Sequence, residues 1–183
     1  MLVLGNPSDH SVYYKMFFSY KKSSVKNKWR EHRFWGALEK SGILTFHEKQ
    51  DQPEPDNVVR INNYRKNALL SGDYEGDFNL FHHPYFSFPT PASGNFSGVA
   101  GIKNIFGGAI FAEYQLSEAS RFEELVGAYG LKHVLCFHKR AREEIQAHTS
   151  EALKIFNAGP TRHILSNKSL TTLRSLADEV RKK

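Results

Sequence analysis

The amino-acid sequence predicts one three-layer α/β domain, in which a mostly parallel sheet is covered by helices on both faces. Short apolar runs alternate along the chain with longer segments of helical periodicity, which is the pattern of strand–helix–strand units. The chain has 183 residues, of which 40% are hydrophobic, and this is enough for a sizeable buried core. No internal repeat or change of composition divides the chain, so residues 1–183 are expected to form a single domain.

Three short apolar runs are the predicted strands. They are residues 1–4, 132–137 and, more briefly, 153–156. In a parallel sheet the functional site lies at the carboxyl ends of the strands. The loops at residues 5–8 and 157–163 are therefore the first places to look for function.

Four segments combine helical periodicity with suitable end residues. They are residues 29–42, 117–129, 139–148 and a last helix beginning near Ser169. Ser117 and Ser169 are the expected N-caps, and Gly42 and Gly130 stand where a left-handed C-terminal cap is expected. Two loops are predicted from composition alone, at residues 50–57 (Pro and Asp) and 94–108 (Gly, Asn and Ser).

Composition excludes several classes of protein. The single cysteine, Cys136, cannot form an internal disulfide or supply a thiolate cluster for zinc or iron–sulfur, and its apolar neighbours predict a small core residue. No run of eighteen apolar residues and no signal-peptide pattern occurs, so we expect a cytoplasmic monomer without membrane contact.

The positive charge is concentrated in two segments. Residues 15–33 contain seven basic residues and one acidic residue, and residues 139–183 contain ten basic and five acidic residues. The rest of the chain contains eight basic and thirteen acidic residues. If both segments share one face, that face attracts a polyanion such as DNA; otherwise they are ordinary solvated lysines and arginines.

The first loop, Gly5-Asn6-Pro7-Ser8, places polar groups directly after a buried strand. Lysines and aromatic residues follow it, and this mixture suits a stacked base with its phosphates. The same residues also suit an ordinary turn with aromatic core residues behind it. His82 and His83 are adjacent on a strand and point to opposite faces, so we expect no metal. No Walker loop, dinucleotide fingerprint or nucleophile elbow is present.

Two stretches resemble the uracil-DNA glycosylase superfamily, in particular its mismatch-specific thymine/uracil branch. The first is Leu4-Gly5-Asn6-Pro7-Ser8, which is followed after about two dozen residues by Glu31-His32-Arg33-Phe34-Trp35. The second is Val134-Leu135-Cys136-Phe137-His138-Lys139, which resembles a later strand and the start of its helix. The resemblance implies the fold of that superfamily and base excision from DNA by base flipping, without metal or other cofactor.

The resemblance also implies roles for individual residues. Asn6 matches the position that orients the attacking water, and Gly5 lies beside the flipped base. One of Tyr14, Phe17 and Phe18 would stack on that base. Pro7, Ser8, Arg33, Thr161 and Arg162 would contact DNA. Either Arg162 or His163 would enter the duplex or stabilise the departing base, and His163 is the second expected catalytic residue.

The chain departs from the family pattern at two places. The second motif of the family usually has Asn or His with Pro and Ser, whereas this chain has Gly159-Pro160-Thr161-Arg162-His163. Residues 81–108 match no part of the family pattern. Two other functions stay open at this point: a catalytically silent nucleic-acid or nucleotide-binding module on the same fold, and a protein that uses its basic segments to bind a protein partner.

Overall fold

The structure, a computed structural model of the chain, describes residues 1–19, 21–22, 29–48, 57–91, 93–149, 153–159 and 164–182. Contacts within the chain divide it into two compact units, each built from two stretches of sequence. We call them the sheet unit (Met1–Val12 and Phe81–Pro160) and the helical unit (Tyr13–Leu80 and Thr161–Lys183). The single-domain prediction stays a prediction.

The elements alternate much as an α/β chain should. In chain order they are β1 (Leu2–Leu4), α1 (Asp9–Tyr14), β2 (Lys21–Lys22), β3 (Trp29–Arg30), α2 (Arg33–Lys40), α3 (Val58–Ser71), β4 (His82–Pro84), α4 (Gly98–Phe106), α5 (Gly108–Tyr129), β5 (His133–Cys136), α6 (Lys139–His148), β6 (Lys154–Asn157) and α7 (Asn167–Arg181). None of the helices in the described ranges is both long and apolar enough to cross a membrane.

The sheet unit contains a four-stranded sheet whose strands are all parallel, in the order β4-β1-β5-β6. Val3, in the middle of β1, lies opposite His83 on one side and Cys136 on the other. All three residues of β1 are buried, as in a parallel strand that is covered on both faces. The predicted α/β class with a parallel sheet is confirmed, and Cys136 is a buried core residue, with a pKa that burial raises to about 12.

The core of the sheet unit combines the strands with helices α4, α5 and α6. Its largest fully buried side chains are Tyr85, Phe86, Phe111, Phe122, Ile102 and Ile145. Burying aromatic and aliphatic side chains of this size contributes about 1.5–3 kcal/mol each. This core makes the sheet a rigid base for the loops at its carboxyl edge.

The prediction of a loop at residues 94–108 is wrong, because α4 occupies most of that segment. Gly107, with a φ of +75°, breaks the helical path between α4 and α5, so this glycine separates two helices. The helix predicted at residues 117–129 begins earlier, at Gly108, and Ser117 lies inside it. Phe111 explains the earlier start, since it continues the buried face of α5.

Two predicted N-termini are also corrected by the caps that the structure contains. His32 caps α2 through Nδ1, which accepts from the Phe34 amide at 3.2 Å, so that helix begins at Arg33 and not at Trp29. The last helix is capped by Ser166, whose Oγ accepts from the Ser169 amide at 3.3 Å. The helix at 139–148 and the positive φ of Gly42 and Gly130 are confirmed.

The helical unit contains α2, α3, α7 and the antiparallel pair β2–β3. Trp35 is buried in it and donates from Nε1 to the Phe18 carbonyl at 2.9 Å. Arg174 donates to the Lys40 carbonyl at 3.0 Å and Arg181 to the Gly42 carbonyl at 2.7 Å. These arginines satisfy carbonyl groups that the C-terminus of α2 leaves without helical partners.

Candidate functional site

The candidate site lies at the carboxyl edge of the parallel sheet, where β4, β1 and β5 end side by side. The Tyr85 amide donates to the Leu4 carbonyl at 3.0 Å, and the Phe86 amide donates to the Gly5 carbonyl at 3.1 Å. On the other side of β1, the Phe137 amide donates to the Val3 carbonyl at 2.9 Å. These backbone bonds extend the sheet pairing into the three loops and fix the loops relative to one another.

Asn6 is the polar side chain that follows β1, and its amide is held in one orientation. Nδ2 donates to Thr90 Oγ1 at 2.7 Å and to the Pro7 carbonyl at 3.2 Å. These two bonds use both N–H groups of the amide, which leaves Oδ1 as an acceptor. Within the described ranges no group donates to Oδ1, and the side chain is half-buried. An acceptor fixed in this way can hold and orient a water molecule.

Thr90 is the residue that positions Asn6. It is 4% exposed, and its Oγ1 also accepts from the Gly98 amide at 2.9 Å, at the start of α4. Its backbone amide donates to the Pro7 carbonyl at 3.1 Å, and its own carbonyl accepts from the Asp9 amide at 3.2 Å. Thr90 therefore ties the loop after β1 to the segment after β4.

Sequence reasoning missed Thr90, since it belongs to the stretch 81–108 that resembled nothing familiar. The flanking prolines, Pro89 and Pro91, indicate an extended backbone there. No local pattern indicates that such a threonine reaches Asn6, more than eighty positions earlier in the chain.

Glu118 is a second residue that sequence reasoning missed. This residue of α5 is 2% exposed, and its Oε1 accepts from the Ser87 amide at 2.6 Å as well as from the Ser87 hydroxyl. Arg121 donates to its Oε2 at 2.6 Å. Burial raises the pKa of this carboxyl, but the Ser87, Tyr114 and Arg121 contacts outweigh that and lower it overall. The ionised Glu118 anchors the segment that includes Phe86.

His138 follows β5 and lies against the backbone of Gly5. A β-carbon added to Gly5 would lie 2.7 Å from Cδ2 and 3.2 Å from Nε2 of the imidazole, so no larger residue fits there without a shift. Nδ1 accepts from the Ala141 amide at 3.3 Å and caps α6. The Phe86 ring contacts the imidazole with its planes at 78°.

The environment of His138 fixes its protonation. Burial lowers its pKa, and Arg140 lowers it further, while Glu143 opposes the shift. The ring is therefore neutral at physiological pH. Because Nδ1 accepts the cap bond, the proton is on Nε2, which makes Nε2 a hydrogen-bond donor. Sequence reasoning placed His138 in the resemblance but gave it no role.

Pro7 and Ser8, predicted to contact DNA, are placed in the same loop. Pro7 is buried, and its carbonyl accepts the bonds from Asn6 and Thr90. Ser8 caps α1, because its Oγ accepts from the Ser11 amide at 3.2 Å. The loop is thus a hydrogen-bonded turn, and its hydrogen bonds hold Asn6 in position.

The predicted stacking residues and Arg33 belong to the helical unit. Tyr14 packs against Val58 and Ile61. Phe18 adopts a left-handed φ of +55°, and its ring stacks on His32 at 4.3 Å between centroids. Phe17 is half-buried, and Arg33 is exposed at the start of α2. The role of each toward a base or DNA stays a prediction.

Thr161, Arg162 and His163 lie outside the described residues. The described start of that loop follows β6, where the Ala158 amide donates to the Cys136 carbonyl at 2.9 Å. Asn157 Oδ1 accepts from the Gly159 amide at 3.2 Å. The described residues Ala158 and Gly159 therefore follow β6 at the carboxyl edge of the sheet, and the rest of the loop predicted at 157–163 lies outside the described residues.

Two further features bear on the chemistry of the site. Across the described ranges, no three His, Cys, Asp or Glu residues come close enough to hold a metal ion. His83 is 3% exposed beside the Phe122 ring, within the core.

Comparison with known proteins assigns no family to this chain: no family model matches it, and no curated protein matches it.

Proposed function

We propose that this chain is a DNA base-excision glycosylase of the kind that the sequence resemblance suggests, with the fold of the uracil-DNA glycosylase superfamily. Its substrate is uracil or another deaminated or mismatched base in DNA. The observation that supports the proposal best is the orientation of Asn6, whose amide uses both N–H groups internally and presents its carbonyl oxygen at the end of β1. A water-orienting group needs that arrangement.

The reaction needs a flipped nucleotide and one positioned water. The flipped base leaves the stack, and Asn6 Oδ1 accepts a hydrogen bond from the water and aims its oxygen at the sugar carbon. As the carbon–oxygen bond forms, the N-glycosidic bond breaks and its electron pair leaves with the base. The water loses a proton to solvent, because an amide cannot accept one as a carboxylate would, and this predicts slow turnover.

The charge of the chain supports DNA as the partner. The protein has a formal net charge of +6, with the basic residues concentrated at 15–33 and 139–183. Neutralisation of phosphates by such residues releases counterions, so binding should weaken steeply as salt rises. An apolar interface with a protein partner would lack this dependence.

The direct test is release of free base from oligonucleotides that contain uracil, hypoxanthine or a G·T mismatch, in single-stranded and duplex form. The wild type should release at least one of these bases, and Asn6→Ala should release it slower by about 10²-fold or more while binding the same DNA. Asn63→Ala is the matched control, since Asn63 is an exposed residue of α3. Equal base release by wild type and Asn6→Ala would refute the proposed role.

One observation favours a second function, a catalytically silent nucleic-acid-binding module. The bonds from Asn6 to Pro7 and Thr90 would hold the loop together even if no water were ever activated. In that case Asn6→Ala mainly lowers stability. Salt-sensitive DNA binding by both proteins, with no base released from any substrate, would favour this module over the glycosylase.

A further inference from the structure

Helix α5 presents three polar side chains to the segment that follows β4. Tyr114, Glu118 and Arg121 are spaced by four and three positions, so they lie on one face of the helix. Each of them is hydrogen-bonded to the backbone of residues 84–88, and the same segment ends two positions later at Thr90. We call these three residues the α5 clamp, because together they hold the segment that carries Thr90.

Two members of the α5 clamp bind the first part of this segment. Arg121 Nη2 donates to the carbonyl groups of Pro84 at 2.9 Å and Tyr85 at 2.8 Å. Glu118 Oε1 accepts from the amide and the hydroxyl of Ser87, and the Ser87 amide lies 2.6 Å away. Arg121 also donates to Glu118 Oε2 at 2.6 Å, so the two clamp residues fix each other.

The third member, Tyr114, brings the α5 clamp closest to Asn6. Its hydroxyl accepts from the Phe88 amide at 2.9 Å. Pro89 is the only residue between Phe88 and Thr90, and its ring restricts its φ to about −65°. Thr90 Oγ1 in turn accepts from Asn6 Nδ2 at 2.7 Å. A displacement of the clamped backbone is therefore carried to Asn6 through few rotatable bonds.

Glu118 is the centre of the α5 clamp, and packing alone does not explain it. The residue is 2% exposed, and its carboxylate is shared among donors from Ser87, Tyr114 and Arg121. Apolar side chains of similar size often stabilise a protein as much as a buried ion pair does. They could cover the segment after β4, but they could not fix the direction of its amide and carbonyl groups. The buried carboxylate is thus suited to orient the segment.

We propose that Glu118 is a positioning residue for base excision, which acts on Asn6 through the segment that ends at Thr90. This inference rests on the proposed function and extends the water-orienting machinery from the loop after β1 to α5. Because Glu118 is buried, it contacts neither the DNA nor the attacking water. Its loss should slow the chemical step and leave DNA affinity unchanged, because Asn6 Oδ1 would no longer hold the water in line.

Two substitutions loosen the α5 clamp to different degrees. In Glu118→Gln the amide oxygen can still accept from the Ser87 amide, but the NH₂ group faces the Arg121 guanidinium as a second donor. Tyr114→Phe removes only the hydroxyl that accepts from the Phe88 amide. It therefore tests the clamp even if Glu118→Gln fails to fold.

Each substitution has a matched control. Glu124→Gln makes the same change at an exposed position of α5. Tyr64→Phe removes a hydroxyl that likewise accepts from a backbone amide, that of Glu48 at 3.2 Å, but Tyr64 belongs to the helical unit. Both controls should release uracil at the rate of the wild type.

The experiment measures single-turnover release of uracil from single-stranded oligonucleotides across a range of enzyme concentrations. Glu118→Gln should lower the maximal rate by about tenfold or more, and Tyr114→Phe by about threefold or more, since a misplacement of about 1 Å can cost about 10²-fold. The enzyme concentration at half-maximal rate should stay within about twofold of the wild-type value. In the Asn6→Ala background, Glu118→Gln should change the rate by less than about twofold, because the group that it positions is gone.

The outcomes separate this inference from the proposed function. If the wild type releases no base, the proposed glycosylase fails, and the inference fails with it. If the wild type is active and Asn6→Ala is slow, wild-type rates for folded Glu118→Gln and Tyr114→Phe overturn the inference alone. Equal slowing by Glu118→Gln in the wild-type and Asn6→Ala backgrounds also overturns it, because Glu118 would then act independently of Asn6. So does equal slowing by Tyr114→Phe and Tyr64→Phe, which would reflect lost stability and not position.

Discussion

Replacement of Thr90 by valine tests whether one buried hydroxyl positions Asn6. Valine keeps the shape of threonine and removes Oγ1, which accepts from Asn6 Nδ2 at 2.7 Å and from the Gly98 amide at 2.9 Å. Each lost hydrogen bond of this kind costs about 0.5–1.5 kcal/mol, so the free energy of unfolding should fall by about 2 kcal/mol. For a protein of this length that corresponds to a fall in Tm of about 4–8 °C.

A double-mutant cycle isolates the bond between Asn6 and Thr90. Asn6→Ala, Thr90→Val and the double variant are unfolded in urea, and the coupling energy should be about 0.5–1.5 kcal/mol, because the two side chains are in direct contact. Thr172→Val is the control: Thr172 Oγ1 donates to the Lys168 carbonyl on the surface of α7, where loss of a hydroxyl should have little effect. Additive effects of Asn6→Ala and Thr90→Val, within about 0.3 kcal/mol, would refute the positioning role.

Two further predictions concern packing and buried charge. In a urea titration, Gly5→Ala should destabilise the protein by about 1–3 kcal/mol, because the new β-carbon would lie 2.7 Å from the His138 ring. Gly36→Ala is the control: Gly36 lies inside α2, its new β-carbon would have no atom within 4 Å, and the change should be neutral or stabilising. Burial first, and Arg121 second, lower the pKa of His83 to about 4, so folded His83 binds fewer protons than unfolded His83 between pH 6.5 and pH 4. The free energy of unfolding should therefore fall as pH falls through that window, by up to about 3 kcal/mol from this residue. His83→Leu should lose less stability than the wild type between pH 7 and pH 4.5. Equal losses in the two proteins would contradict the lowered pKa of His83.

The sequence predicts those parts of the fold that local patterns determine. Strands β1 and β5 are buried parallel strands with short apolar runs, and their predicted ranges agree with the structure to within two residues at each end. The edge strand β6 is only partly buried, but Ile155 and Phe156 give it a short apolar pair, and its prediction is one residue too early. The range predicted for α6 agrees with the structure. The helix α3 was missed, since polar Asn62 and Arg65 interrupt its buried face. The helix α4 was missed because glycine-rich composition resembles a loop, even where the glycines only separate helices.

The sequence identifies the part of the site that follows β1, but not the residues that follow β4 and β5. Asn6, Pro7 and Ser8 are recognisable because they follow a buried strand at a fixed distance, and the structure places them together at the carboxyl edge of the sheet. Thr90 and His138 complete the arrangement from distant parts of the chain. Their contacts depend on the strand order β4-β1-β5, which no local sequence pattern specifies.

The central claim is that Asn6 orients the attacking water, and single-turnover release of uracil by wild type, Asn6→Ala and Asn6→Asp tests it most directly. A carboxylate at this position can orient the water and also accept its proton, and the Thr90 hydroxyl can turn to donate to it. Asn6→Asp should therefore release uracil at least as fast as the wild type, and Asn6→Ala should be slower by about 10²-fold or more. Equal rates for Asn6→Ala and the wild type, with all three proteins folded and bound to DNA, would contradict the claim.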